Sequence, residues 1–363
     1  MTKIHLVYPH GSRISTPDAI GRNLAIRLTE KYNYSVIKYN WDESTAIKPG
    51  SNDVIIGHPH FKLDTCFRMS YKQKGWKRIL VMSPFNTDKM QVAFLEPFLR
   101  RCNLYLAITG NYWISQVKDS LFAHWIPKMI HLDLAIDRND FPILKKRFSV
   151  PGERRFVYIG SNSWAKNTDY LSRIASLMPD IKIYWIGAGN KTYGKKINGL
   201  IHQGFYDFSK PEAKRILAEH DFMITVGHVD SNPTTILEAM AWGLIPVCTP
   251  QSGYVNYPGI VNIPLGNAEK AIEVLCSLQE LPEFKLQEMQ AFNWEALDTH
   301  LNWDRFACQV AEAIESDSNP MLVPISLITR LKIFLSLIRS PYSFIRSRYL
   351  TRYFLDKIMK LVV

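Results

Sequence analysis

The sequence predicts an α/β protein of two Rossmann-like, doubly wound domains that face each other across a cleft, followed by a basic amphipathic helical tail. Three observations favour this class. The chain of 363 residues is too long for one hydrophobic core and suits about two domains. Short apolar segments alternate with helix-like segments, as in parallel βαβ units, and the alternation restarts after a polar, proline-containing linker.

The first domain is predicted over residues 1–140 and the linker over 141–154. The domain's strands are K-I-H-L-V-Y-P, Y-S-V-I-K-Y, D-V-I-I-G-H-P-H, R-I-L-V-M-S-P-F and N-L-Y-L-A-I-T. The first of these has no signal-peptide core, so we interpret it as a strand that is not cleaved off. Between the first two strands, P-D-A-I-G-R-N-L-A-I-R-L-T-E has the spacing of a helix.

The second domain is predicted over residues 155–300. Its strands are R-F-V-Y-I-G, I-K-I-Y-W-I-G, D-F-M-I-T-V-G and L-I-P-V-C-T. Residues 301–318 are predicted to form a closing helix and 319–363 the tail. Ligands of doubly wound sheets bind outside the carboxyl ends of the strands, so we expect the site in the cleft between the domains.

Composition excludes several classes of protein. Apolar residues make up 47% and charged residues 21%, which is ordinary for a soluble globular chain. The five cysteines are scattered and form no C-x-x-C pair, which argues against a disulfide framework or a zinc site and favours a reducing compartment. No apolar run approaches the roughly 20 residues that cross a bilayer. We therefore expect a cytoplasmic protein.

The positive charge is concentrated in the tail. The chain carries a net charge of +11, and residues 319–363 hold eight basic residues against one acidic residue. A nucleic-acid-binding domain would spread this charge over its surface, so no nucleic-acid partner is expected. Apolar residues recur in the tail at helical spacing; they are Leu327, Leu331, Phe334, Leu335 and Ile338, then Leu350, Phe354, Ile358 and Leu361.

Basic amphipathic helices suit an anionic membrane surface, so the tail predicts a peripheral protein on the inner face of the membrane. The alternative is that the apolar stripes pack on the protein's own first domain.

Three loops follow strand ends in the second domain. They are I-G-S-N-S-W-A-K-N, G-A-G-N and the segment D-S-N-P-T-T-I-L-E-A-M-A-W-G that begins at Asp230. Lys166 in the first loop can reach a diphosphate as a point charge. In the third, the start of a helix favours an anion, and Glu238 lies one turn in, where it can meet a ribose-like diol. Asp230 could instead cap that helix, and Lys166 could be a solvated surface lysine.

These loops resemble the donor-binding domain of the retaining GT-B glycosyltransferases of family four, often called "group 1". The resemblance covers about Arg155 to Pro250 and rests mainly on E-A-M-A-W-G-L-I-P-V. It implies transfer of a sugar from a nucleotide-diphosphate sugar to a glycan or lipid-linked acceptor, in envelope polysaccharide or glycoconjugate synthesis. It also implies retention, no bound cofactor and no metal, and the sequence has no D-x-D element.

Carried over by position, the resemblance makes Asp230 and Lys166 the catalytic residues and Glu238 the ribose partner. Further donor-binding positions are Gly160, Ser161, Gly187, Gly189, Ser231, Asn232, Thr234 and Thr235. His58, His60 and Asn86 are expected on the acceptor side.

The sequence departs from the family at several positions. Asp230 is one methylene shorter than the usual glutamate, Ser161 replaces an arginine, and Asn167 replaces a glycine. The first domain also lacks the family's histidine after its third or fourth strand. These departures leave an alternative open, in which the chain is a catalytically weak nucleotide-sugar or glycan-binding protein of the same fold. Trp164, Trp185, Trp242 and Cys248 are expected in the core.

Overall fold

The computed structural model describes residues 2–11, 15–60, 62, 64–189, 194 and 196–340. The chain forms two compact units, one of Met1–Ile108, Ile114–Leu132 and Phe306–Val363, the other of Thr109–Trp113 and Asp133–Arg305. Each contains a six-stranded parallel sheet, which confirms the predicted class of two Rossmann-like domains. The second apolar stripe of the tail, Leu350 to Leu361, lies outside the described residues.

The sheet of the first unit has the strand order β2-β1-β3-β4-β5-β6. Its strands are β1 (Lys3–Val7), β2 (Ser35–Tyr39), β3 (Val54–Gly57), β4 (Arg78–Pro84), β5 (Leu104–Ile108) and β6 (Met129–Leu132). The helices up to β6 are α1 (Thr16–Glu30), α2 (Cys66–Ser70), α3 (Lys89–Val92), α4 (Glu96–Leu99) and α5 (Asn111–Gln116). Every residue of β3 and β5 is buried, as expected when helices cover both faces of a parallel sheet.

The sheet of the second unit has the order β12-β11-β10-β7-β8-β9. Its strands are β7 (Phe156–Ile159), β8 (Ile183–Ile186), β9 (Ile201–Gly204), β10 (Phe222–Thr225), β11 (Ile245–Cys248) and β12 (Val261–Asn262). The helices of this unit are α6 (Thr168–Leu177), α7 (Pro211–Ala218), α8 (Thr234–Trp242), α9 (Ala268–Glu280) and α10 (Glu283–Thr299). The last two helices are α11 (Trp303–Glu315), which belongs to the first unit from Phe306 onward, and α12 (Leu327–Arg339), which belongs to it entirely.

A buried ion pair attaches residues 141–154 to the second unit. Lys145 Nζ lies 2.8 Å from Asp221 Oδ1, and both side chains are buried. The same carboxylate accepts the backbone N–H groups of Ser149 at 2.8 Å and Arg155 at 3.0 Å. Asp221 directly precedes β10, so these contacts anchor the predicted linker to the start of that strand.

The cysteines are all free thiols, and three of them are buried. Burial raises the pKa of Cys66, Cys102 and Cys248 to about 12. The core position expected for Cys248 is therefore confirmed, and so are those of Trp185 and Trp242.

The expectation for Trp164 is wrong. Its side chain is 52% exposed, because it stands at the carboxyl end of the sheet in the loop after β7.

Helix α12 confirms the first predicted helix of the tail. It lies on the first unit through Ile333 and Ser336, and the Ser340 hydroxyl donates to the Met90 carbonyl. The opposite side carries exposed apolar residues, with Leu327 82% exposed. Among the described residues, no helix combines the length and the apolarity that crossing a membrane requires.

Candidate functional site

The loop after β7 brings Lys166 back over the end of the strand. Residues Trp164–Lys166 form a 3-10 turn, and Asn167 follows with φ 53° and ψ 44° before α6 begins. This left-handed conformation is one that glycine adopts freely and that asparagine tolerates. The left-handed backbone explains the glycine that the resemblance expects here, and Asn167 adopts the same conformation. Ser161 is exposed, and its carbonyl accepts the Tyr158 hydroxyl at 2.8 Å.

The glycine turn after β8 packs directly on this loop. A Cβ on Gly187 would lie 1.9 Å from the Gly160 carbonyl oxygen, so no larger residue fits without a shift. Asn162 donates its backbone N–H to Ala188 at 3.3 Å. Gly189 follows this contact. Two of the three predicted loops thus form one surface at the carboxyl end of the sheet.

Lys166 and Asp230 form an ion pair between the loops that follow β7 and β10. Their side chains are 27% and 19% exposed, so the pair is open to a ligand. The backbone of His228 also donates to the Ala165 carbonyl at 3.4 Å, which joins the same two loops. The alternative that Asp230 caps the next helix is wrong, because Pro233 is the cap of α8 and no side chain caps it.

The turn between Asp230 and α8 contains an unsatisfied buried donor. Asn232 is buried; its Oδ1 accepts the Tyr254 hydroxyl, and its Nδ2 has no partner among the described residues. Ser231, Thr234 and Thr235 are half-buried beside it at the start of α8. A buried amide without a partner is costly, and a helix start without a side-chain cap favours an anion.

Glu238 is a half-buried carboxylate on α8 with no ion pair or hydrogen bond to another described side chain. Burial raises its pKa to about 7. Most buried or half-buried acids in proteins are paired, so an unpaired one on the helix that follows the Asp230 loop is a candidate for ligand binding.

Two residues of this region escaped the sequence analysis. Trp113 donates its indole N–H to the Asp230 carbonyl at 2.8 Å, and Gly110 donates its N–H to the Ser231 carbonyl at 2.9 Å. Both belong to the second unit, although Thr109–Trp113 is separated in the chain from the rest of that unit, which begins at Asp133. The only sequence signal is T-G-N-Y-W directly after a buried strand.

In the first unit, His58 and His60 lie in one aromatic cluster. The Trp41 ring lies 4.9 Å from that of His58 and 5.2 Å from that of His60. Burial lowers the pKa of His58 to about 3 and also lowers that of His60, so both rings are neutral at neutral pH. The Asn86 side chain donates to Gln91 Oε1 at 2.9 Å and accepts the backbone N–H of Asp88 at 2.9 Å.

Metal ligands are not gathered in the described part of the chain. No group of three or more histidine, cysteine, aspartate or glutamate residues there is arranged to hold an ion.

Comparison with known proteins identifies the fold but no family. No family model matches the sequence, and no curated protein matches it. Among solved structures, sucrose-phosphate synthase from Thermosynechococcus elongatus has a TM-score of 0.62 at 10% identity, over 86% of this chain and 98% of the other. A glycosyltransferase from Rickettsia africae has a TM-score of 0.59 at 11% identity, over 87% and 99%.

Anabaena HepE, solved with UDP and glucose, has a TM-score of 0.56 at 13% identity, over 86% of this chain and 99% of its own. At such identities the likeness establishes the fold, which is the two Rossmann-like domains of the GT-B class.

Proposed function

We propose that the protein is a glycosyltransferase that moves a sugar from a nucleotide-diphosphate sugar to a glycan or lipid-linked acceptor. The observation that carries the proposal is the ion pair of Lys166 and Asp230 at the carboxyl end of the second sheet, followed on the next helix by the unpaired carboxylate of Glu238. One cation and two acids there match the needs of a diphosphate, a sugar and a ribose. The structural neighbours include a glycosyltransferase and a protein solved with UDP and glucose, which supports the same class.

Each residue has a chemical role in the proposed reaction. Lys166 has three N–H donors and uses one on Asp230, so the others remain for the diphosphate. The start of α8 and the unpaired Asn232 Nδ2 add donors for phosphate oxygens. Asp230 keeps a second carboxylate oxygen for a hydroxyl of the transferred sugar, and Glu238 accepts the two ribose hydroxyls.

Transfer with retention requires no protein base in this scheme. The bond from the sugar's anomeric carbon to the diphosphate oxygen breaks while the acceptor oxygen bonds the same carbon from the same face. The departing diphosphate takes the acceptor proton and leaves with the bonding electron pair. Lys166 stabilises the charge that develops on it, which is electrostatic catalysis in a prepared site. We propose that no metal takes part, and that the pathway is envelope polysaccharide or glycoconjugate synthesis.

The competing function is nucleotide-sugar or glycan binding without efficient transfer. The exposed Ser161 favours it, because a serine cannot make the bidentate phosphate contact of an arginine. Turnover separates the two: a transferase releases the nucleotide diphosphate from its donor in the presence of an acceptor, whereas a binding protein is only stabilised by the donor.

The test is thermal unfolding with UDP, GDP, ADP, CMP and dTDP and their sugars, followed by assay of released nucleotide with and without EDTA. We expect one nucleotide to stabilise the protein, and Lys166→Ala and Glu238→Ala to abolish the effect. Lys270→Ala, which removes an exposed lysine of α9 in the same unit, is the matched control. No stabilisation by any nucleotide would contradict the donor site.

The acceptor side is proposed to be the aromatic cluster of Trp41, His58 and His60. Neutral imidazoles and an indole suit the hydroxyls and the apolar face of a sugar. Once a donor is known, Trp41→Ala should raise the KM for the acceptor and leave donor stabilisation unchanged. An unchanged acceptor KM would remove this cluster from the site.

We also propose that the protein binds the inner face of an anionic membrane through its tail. On α12 the exposed side carries Leu327, Ile328, Leu331 and Phe334. At 3.6 residues per turn, Lys332 and Arg339 flank this side on one edge and Arg330 on the other. An apolar stripe with cations on both edges fits an interface of lipid tails and anionic headgroups.

Point substitutions test the membrane proposal better than deletion, because α12 also packs on its own unit. We expect wild type to sediment with phosphatidylglycerol-containing vesicles, and Leu331→Ser with Phe334→Ser to abolish this without loss of Tm. Phe284→Ser, at an exposed position of α10, is the control. A large loss of Tm would show instead that the stripe packs on the protein itself, and loss of a dimer would show that it is covered by a second copy.

A further inference from the structure

The loop that carries Asp230 is bonded on both sides of its peptide chain. The Asp230 N–H donates to the Gln251 carbonyl at 3.2 Å. Its carbonyl accepts the Trp113 indole N–H at 2.8 Å, and the next carbonyl, of Ser231, accepts the Gly110 N–H at 2.9 Å. The main chain of Asp230 is therefore held between residues 250–255 and the pentapeptide Thr109–Trp113.

The pentapeptide is in turn bonded to residues 250–255. Tyr112 donates its N–H to the Gly253 carbonyl at 3.0 Å, and the Asn111 side chain accepts the Val255 N–H at 2.9 Å. Gln251 donates its side-chain amide to the Tyr112 hydroxyl at 3.2 Å. The three segments close a ring of hydrogen bonds around the Asp230 peptide.

Steric fit removes the remaining freedom. A Cβ on Gly110 would lie 2.1 Å from the Gly253 carbonyl oxygen, and one on Gly253 would lie 2.5 Å from the Ser231 carbonyl oxygen. Trp113 itself is 5% exposed. Segments in such contact cannot slide past each other, so the position of the Asp230 Cα is set by its neighbours.

We propose that Trp113 is a positioning residue for sugar transfer: its indole N–H holds the Asp230 carbonyl and thereby places the carboxylate that pairs with Lys166. The inference rests on the proposed function. Two rotatable bonds separate the aspartate carboxylate from its main chain, so a shift of the peptide is passed on to the carboxylate. A misplacement of about 1 Å can cost a hundredfold in rate.

Two substitutions separate the hydrogen bond from packing. Trp113→Phe removes the N–H and keeps an aromatic ring. Trp113→His keeps an N–H on a five-membered ring that superimposes on that of indole, and removes the benzene ring. If the bond positions Asp230, kcat falls about tenfold or more in the phenylalanine variant and is largely retained in the histidine variant. Because Glu238 and Asn232 are untouched, the Kd for the nucleotide diphosphate alone stays within about threefold in both.

Trp294→Phe is the matched control. Trp294 donates its indole N–H to the Met240 carbonyl at 3.0 Å, a bond of the same kind in the same unit. We expect it to lower Tm about as much as Trp113→Phe and to leave kcat unchanged.

Three results would overturn the proposal. The first is a lower kcat in Trp113→His than in Trp113→Phe, which would mean that ring size matters more than the N–H group. The second is an equal loss of kcat and of nucleotide affinity in Trp113→Phe. The third is a crystal structure of Trp113→Phe in which the Lys166–Asp230 pair is still in place. Failure of the proposed function itself would differ: wild type would bind no nucleotide, while Trp113→Phe would still lose the pair in the crystal.

Discussion

Replacing Glu238 by glutamine should have opposite effects on nucleotide affinity and on the stability of the free protein. The carboxylate has no ion pair or hydrogen bond with another side chain of the described residues, and burial raises its pKa from 4.5 to about 7. In the free protein its charge is a cost. Under the proposed function, the same charge would accept the hydroxyls of the ribose when a nucleotide is bound, and would then stabilise the complex.

The stability effect follows from proton linkage. Because the folded-state pKa of Glu238 lies above its ordinary value, its ionisation destabilises the fold; the penalty is absent below pH 4.5 and complete above pH 7. The shift corresponds to about 3 kcal/mol as an upper bound, and the half-exposed side chain reduces this to about 1–2 kcal/mol. Glu238→Gln should therefore raise Tm by about 2–8 °C at alkaline pH and by almost nothing near pH 4.5.

The affinity effect has the reverse sign. Hydrogen bonds to a charged group contribute about 1.5–3 kcal/mol, so the variant should bind its nucleotide about 10–100-fold more weakly at alkaline pH. In acid the wild-type carboxyl is protonated, and the two affinities should converge.

The assay is a thermal-shift titration of wild type and variant, with and without nucleotide, on both sides of neutral pH. Glu212→Gln, an exposed acid of α7, controls for the loss of one charge. A Tm difference that does not grow with pH would refute the raised pKa. An affinity ratio independent of pH would refute the contact between ribose and an ionised carboxylate.

Three further predictions concern stability, measured by chemical denaturation. Gly187→Ala should cost about 2 kcal/mol or more, because its Cβ would lie 1.9 Å from the Gly160 carbonyl oxygen; a loss under about 0.5 kcal/mol would mean that the two loops separate freely. Asn167→Gly should be nearly neutral and Asn167→Ala should cost about 1 kcal/mol, since alanine disfavours φ 53°; equal values would contradict the left-handed turn. Asp221→Ala should cost about 3–5 kcal/mol by leaving Lys145 buried and unpaired, and Lys145→Met with Asp221→Leu should recover only part of it, because the backbone N–H groups of Ser149 and Arg155 still lose their acceptor.

The elements of the second domain were predictable because their sequence signals are local. The segment that begins at Asp230 predicts a helix, and α8 forms there and ends at Gly243 with φ 90°. The strand I-P-V-C-T follows it as expected. The boundaries of the domains and the roles of the site residues stay predictions.

Other elements carry little local signal. Strand β9 is short and exposed at the edge of its sheet, so I-H-Q-G lacks a buried apolar pattern. In α10 the buried side includes Gln290 and Asn293, which bond backbone carbonyls and interrupt the apolar period. The bond from Trp113 to Asp230 spans 117 positions, and no local pattern specifies a partner at that distance.

The distribution of the thiols provides a way to observe the motions of each domain separately. Cys66 and Cys102 are sealed in the first unit and Cys248 in the second, and their raised pKa values keep them unreactive while the fold is closed. Cys276 is exposed and would react at once with an alkylating reagent. The rates at which the buried cysteines are modified afterwards would report how often each domain opens locally. Mass spectrometry of the peptides could then show in which domain a bound nucleotide slows this opening.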